Sequence, residues 1–196
     1  MTSHSFALVC SLSIAGLVLG TQARAQSIEY RVLATNRTST METEMNEAAA
    51  AGFRVAAVMG GETAFGGREG VAVMQRVAGD ASADGRYQYK LLATNRTSTM
   101  QEEMQEAGDQ GFEYMGQTIF RSTFGGQEVA VVLERDMQAE LIEYEYLLLA
   151  TNRTSTMEEE LQEAGADDFA LVGMTVSGTA FGGKEVVAIL RRARDR

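Results

Sequence analysis

The chain has 196 residues and a formal net charge of −10, with one Cys, one His, no Trp and no Pro. Cys10 and His4 both fall in an apolar N-terminal segment, so the rest of the chain has no disulfide, no thiolate or imidazole metal ligand, no cysteine nucleophile and no Ser-His-Asp triad. Its acidity argues against nucleic acid and anionic lipid as partners, and no Lys/Arg cluster precedes the terminal RRARDR.

The first 25 residues read as a signal peptide. FALVCSLSIAGLVLG (6–20) is apolar but shorter than the roughly 20 residues of a spanning helix, and Ala23-Arg24-Ala25 follows as an A-x-A cleavage pattern. Cys10 lacks the small-residue context of a lipid-attachment site. Cleavage near Ala25-Gln26 predicts a periplasmic or secreted protein with no integral membrane span. That body loses Arg24 and keeps all 27 acidic residues.

Beyond the leader the chain repeats. LATNRTSTM stands unchanged at 33–41, 92–100 and 149–157, inside units spanning 28–77, 87–136 and 144–193. In the first unit, Tyr30–Thr35 is a short apolar strand and Asn36–Thr38 a connection. A helix runs from Thr40 to Ala50, with Met41, Met45, Ala48 and Ala49 on one face and Glu42, Glu44 and Glu47 on another. Gly52 and Gly111 suit left-handed helix ends in the first two units. Asp168 replaces them in the third and predicts a weaker stop. A second strand begins at Phe53, and a third spans Gly70–Arg76, with a Phe-Gly-Gly loop between them. The third strand is clearest as VAVVLER (129–135) and VVAILRR (186–192). The linker AGDASADGR (78–86) reads as flexible, and MQAELIE (137–143) as a possible strand extension.

Each unit is therefore βαββ, and the fold class is α+β. The helix crossover makes strands one and two parallel, and the hairpin makes strand three antiparallel to both. The third strand is the most uniformly apolar, which places it centrally in a three-stranded sheet of order 1-3-2. A unit of about 50 residues is marginal alone, so its edges predict packing between units through pseudo-threefold or edge-strand contacts.

The opening YEY/YQYK, the helix pattern E-M-N-E-A-x-x-x-G-F at 44–53 and the basic residue in the closing strand resemble the small bacterial domain-of-unknown-function family numbered forty-one seventy-seven, in three tandem copies. Members of that family usually carry Trp after the glycine, where this chain has Phe53, Phe112 and, after Asp168, Phe169. The resemblance implies a small α+β domain and no particular function.

The second strands diverge between copies, so recent duplication does not explain LATNRTSTM. Capping boxes explain part of it, pairing Ser39 with Glu42, Ser98 with Gln101 and Ser155 with Glu158. Asn36, Asn95 and Asn152 suit turns. Their Asn-x-Thr match to a glycosylation acceptor counts once, because it recurs inside one motif. The helix starts and the Phe-Gly-Gly loops, each followed by Glu69, Glu128 or Glu185, fall at the same end of a unit. In the structural reading, Arg37 pairs with Glu69, Arg96 with Glu128 and Arg153 with Glu185. In the binding reading, Arg37, Thr38 and Ser39, with Arg96, Thr97 and Ser98, and Arg153, Thr154 and Ser155, hold a phosphate, sulfate or carboxylate at a helix N-terminus. The Glu-rich helix faces lack a calcium-loop spacing and read as solvated.

These residues lead to the expectation of a secreted, non-enzymatic repeat protein of the cell envelope, without cofactor or metal. It would serve as a structural module or bind an unidentified protein or small polar ligand. A small-anion binder using the Arg/Ser/Thr ends is the first alternative. A hydrolase resting on Glu, Thr or Tyr is the second.

Overall fold

A computed structural model describes residues 27–63, 67–121, 127–178 and 184–194. The segment expected to be a signal peptide and most of the three Phe-Gly-Gly loops lie outside the described residues. Repeat 1 holds β1 (Ile28–Thr35), α1 (Thr38–Ala50), β2 (Arg54–Thr63) and β3 (Gly67–Val77). Repeat 2 holds β4 (Tyr87–Thr94), α2 (Thr97–Asp109), β5 (Glu113–Arg121) and β6 (Gln127–Asp136). Repeat 3 holds β7 (Tyr144–Thr151), α3 (Thr154–Ala166), β8 (Ala170–Gly178) and β9 (Lys184–Ala193). Each repeat is one three-stranded sheet, in the orders β1-β3-β2, β4-β6-β5 and β7-β9-β8. The central strand is antiparallel to both neighbours, so the class and strand order expected from the sequence hold.

The apolar central strands are explained by what covers them. Val131 and Leu133 of β6 pack with Met100 and Met104 of their own helix α2. Ala130 and Val132, which alternate with them, pack with Met45 and Ala48 of α1 from the preceding repeat. The middle sheet thus has a helix on each face. The third sheet follows suit, with Ala188 and Leu190 packed beside Met157 of α3 and Ile189 beside α2. Helices α1 and α2 are each shared between two sheets, which is why Met45 and Met104 are fully buried although a 13-residue helix on a three-stranded sheet covers little area. A buried Met of this kind contributes about 1.5–3 kcal/mol.

Helix ends are closed from the sheet. Arg76 of β3 donates from Nη1 to the Ala51 carbonyl at 2.7 Å, and Arg192 of β9 does the same to Asp167. A cation at a helix C-terminus satisfies leftover carbonyls and suits the helix dipole. The same guanidiniums stack on Phe53 and Phe169, at 4.6 and 4.4 Å from the ring centres. The basic residue of the closing strand is thereby accounted for in repeats 1 and 3. Gly52 and Gly111 are left-handed at φ 78° and 80°, and Asp168 adopts the same conformation at φ 64°.

Both linker expectations need correction. Residues 78–86 are pinned: the Gly85 N–H donates to the Ala49 carbonyl at 3.1 Å, and Asp84 lies so close above Gly52 that a Cβ there would meet its Oδ1 at 2.6 Å. Small polar residues serve here to turn tightly over the end of α1. Residues 137–143 do not extend a strand, because β6 ends at Asp136. Leu141 instead lies over Gly111 at the corresponding place.

Candidate functional site

The NRTST segments do not form capping boxes. The first intrahelical bond of α1 runs from the Met41 N–H to the Arg37 carbonyl at 3.0 Å, so Arg37 is the N-cap and Ser39 already lies in the first turn. Met100 to Arg96 and Met157 to Arg153 repeat the pattern, and none of the three N-caps makes a side-chain capping bond. Thr35, Thr94 and Thr151 hold the turn instead, each accepting from the Arg N–H two residues on at 3.2 Å. This assigns a role to the Thr that precedes Asn in every copy.

Arg37, Arg96 and Arg153 are exposed, as are Ser39, Ser98 and Ser155. Thr97 Oγ1 donates to Glu185 Oε1 at 2.9 Å, so Glu185 serves the helix start of the preceding repeat. A carboxylate from repeat 3 thus sits at the N-terminus of α2, where the dipole favours negative charge. Thr38 and Thr154 occupy the equivalent positions, half-buried and exposed respectively.

The polar residues that organise the molecule lie further along the helices. Asn46 donates from Nδ2 to the Tyr89 carbonyl at 3.0 Å and accepts at Oδ1 from the Tyr89 N–H at 2.9 Å. One turn earlier, Glu42 accepts from the Leu91 N–H at 2.8 Å. These bonds cover the outer edge of β4, which would otherwise present unpaired backbone groups. The second interface uses a related device: Gln105 accepts from the Tyr146 N–H and donates to the Tyr144 carbonyl, and Gln101 accepts from the Leu148 N–H and donates to the Tyr146 carbonyl. From sequence alone, Glu42, Gln101 and Glu158 fit capping partners, Glu42 and Glu158 also fit solvated helix faces, and Asn46, Gln105 and Gln162 carry no assigned role. Their signal was an acid or amide pair at i and i+4 on one helix face, in all three copies.

Around each clamp the strand tyrosine is buried. Tyr89 donates to Glu134 Oε2 at 2.6 Å and accepts from the Val55 N–H at 2.8 Å, while Arg54 meets Glu134 Oε1 at 2.8 Å. Burial, with the Glu134 charge adding to it, drives the Tyr89 hydroxyl far above the usual tyrosine range. Tyr146 is likewise raised by burial, and its hydroxyl donates to the Phe112 carbonyl at 2.9 Å. Tyr114 is pushed up to about 12 by burial. The ion pair of the first interface reappears inverted at the second, where Arg191 of β9 meets Glu113 of β5 at 2.7 Å.

At α3 the same helix face has no following repeat. Met157, Leu161, Glu158 and Gln162 line an open groove of about 510 Å³, with Thr151–Thr154 at one end and Met174 and Val186 opposite. Glu158 and Gln162 are exposed, whereas Glu42, Asn46, Gln101 and Gln105 are half-buried. Glycines mark the same difference. A Cβ on Gly108 would strike the Tyr144 carbonyl, whereas one on Gly165 would meet nothing within 4 Å.

Comparison with family models, curated proteins and solved structures finds no match for this chain. The resemblance to the family of small bacterial domains rests on the residues quoted above.

Among the described residues there is no cluster of three or more His, Cys, Asp or Glu arranged to hold a metal ion, and no helix long and apolar enough to cross a membrane.

Proposed function

We propose that the protein is a non-enzymatic binding module of the cell envelope, and that its docking surface is the groove on α3. The partner it fits is a protein presenting the edge of a β-strand with apolar side chains on one face. The observation that carries this reading is the repetition of the clamp: Glu42/Asn46 and Gln101/Gln105 each grip a strand edge, and Glu158/Gln162 stand in the same arrangement on the open groove. Leu161 supplies the apolar floor, at the place taken by the buried Met45 and Met104 in the earlier helices. The signal-peptide pattern of residues 1–25 underlies the proposed export to periplasm or medium.

The Arg/Thr/Ser ends belong to this reading as contact residues. Thr97 meets a carboxylate at the second interface, and Arg153 and Thr154 line the groove where a partner carboxylate would approach α3. A free small anion at Arg153, Thr154 and Ser155 is the narrower alternative. It predicts stabilisation by phosphate or carboxylate compounds, lost in Arg153→Ala. The hydrolase reading has less support, because the hydroxyls of Tyr89 and Tyr146 are buried, hydrogen-bonded and raised far from a working range.

A photo-crosslinking residue at position 162 tests the proposal in the native envelope. Discrete protein adducts that vanish when Leu161→Glu is added support it. An absence of Leu161-dependent adducts overturns it.

A further inference from the structure

We infer that the partner seated on α3 is the first repeat of a second copy of this chain, so that molecules join head to tail. The inference rests on the proposed binding role of that groove and names its occupant. The helix clamp, its apolar floor and the strand edge of the internal interface each have a matching half at one of the two ends. On the acceptor side stand Glu158 and Gln162, with Leu161 beneath them and open space above Gly165. On the donor side stands β1, aligned with β4 and β7 through the shared LATNRTSTM. Tyr30 corresponds to Tyr89 and Tyr146, and Val32 to Leu91 and Leu148. Tyr89 and Tyr146 are each 2% exposed beneath a helix, while Tyr30 is 64% exposed and Val32 56%. Ile28, one alternation earlier on the same face, is 44% exposed.

The occupant follows from continuity with the internal interfaces. Asn46 and Gln105 both accept from the N–H of the strand tyrosine, and Glu42 and Gln101 from the N–H two residues later. In a second copy those groups belong to Tyr30 and Val32, which Gln162 and Glu158 would grip. Electrostatics permit the contact. The positions that form Arg54–Glu134 and Glu113–Arg191 across the internal interfaces are Ala170 and Gln75 at the two ends, so no like charges oppose at that place. One surface meets a different surface, so the association is heterologous and yields open chains or a closed ring.

Sedimentation of the purified protein over a concentration series, with two blocked variants, decides the matter. Leu161→Glu removes the acceptor and Tyr30→Glu the donor. Both positions are at least partly exposed, and circular dichroism melts confirm that each variant folds. Wild type is expected to form a concentration-dependent series of multimers. Each variant alone should be monomeric, and their equimolar mixture should form a dimer and nothing larger, because it retains one good acceptor and one good donor. Should either variant fail to fold, Gln162→Arg and Val32→Lys repeat the pairing. A wild type that stays monomeric at its highest soluble concentration overturns the inference, as does a dimer that persists in one variant alone. If wild type is monomeric while the probe at position 162 still traps another protein, the binding proposal stands and self-association falls.

Discussion

Asn46 holds Tyr89 by both atoms of its side-chain amide, donating to the carbonyl at 3.0 Å and accepting from the N–H at 2.9 Å. A side chain on one repeat thereby takes the place of a fourth strand for the next. Helix-to-edge contact of this kind covers an edge without sheet continuity, and the three sheets remain separate.

Asn46→Ala leaves two backbone groups of Tyr89 without their partners beneath a helix. A loss of about 2 kcal/mol is expected from urea unfolding. Asn46→Gln should lose less, because Gln105 holds the equivalent tyrosine N–H, with its donor on the Tyr144 carbonyl, at the second interface. An Asn46→Ala protein as stable as wild type would remove the clamp from the account of stability.

Glu134 is 3% exposed and depends on Arg54 and the Tyr89 hydroxyl. Arg54→Glu sets a like charge against it and should destabilise by about 3 kcal/mol, somewhat moderated because the Arg54 side chain is 48% exposed. Combining it with Glu134→Arg should recover at least half of that loss, since Arg191 and Glu113 already use the inverted polarity. A double-mutant cycle without coupling would contradict this.

The two late-helix glycines should respond oppositely to the same change. Gly108→Ala drives a methyl into the Tyr144 carbonyl and should destabilise. Gly165→Ala meets open space in α3 and should stabilise by about 0.5–1 kcal/mol through the helix backbone alone. Equal effects in thermal melts would mean that β7 does not approach α2 as described.

Asp168 is held at φ 64°, where the first two repeats place glycine. Asp168→Gly should raise stability by several tenths of a kcal/mol, because a Cβ no longer strains the left-handed turn. Gly52→Asp should do the reverse and also crowd Asp84. A lower melting temperature for Asp168→Gly would show that its side chain contributes more than its backbone costs.

Arg86 donates to Asp136 at 2.6 Å, and that hydrogen bond, ahead of lesser backbone contacts, holds the carboxyl below its ordinary value. A depressed carboxyl stabilises the fold above the unfolded pKa of roughly 3.9 and loses that contribution as pH falls through the folded value. Both groups are partly exposed, so the effect should stay below about 1 kcal/mol. Arg86→Ala should reduce stability at neutral pH and weaken the acid dependence. An unchanged urea midpoint at neutral pH would show that the pair adds nothing.

The local order of each repeat is written in its own residues. Apolar runs, the i, i+4, i+7 pattern from Met41 and the glycine stops lie close together in the chain, and periodicity alone yields βαββ with strand three central. Ser39 and Glu42 satisfy a capping pattern by spacing, which places the expected start of the helix two residues later than its actual start at Thr38. In the folded protein, Glu42 is drawn instead to the Leu91 N–H. That N–H lies 49 residues away, and no local pattern reports it. Local topology points Arg37 to Glu69 inside one repeat, whereas Thr97 meets Glu185 across the boundary to the next repeat. Whether a helix face meets solvent or a neighbouring sheet is decided by how repeats stack, which depends on contacts spread over two units. Three copies of one sequence therefore predict three copies of one fold. Only the tertiary structure reveals that the copies differ in their surroundings, with Tyr89 and Tyr146 covered and Tyr30 left open.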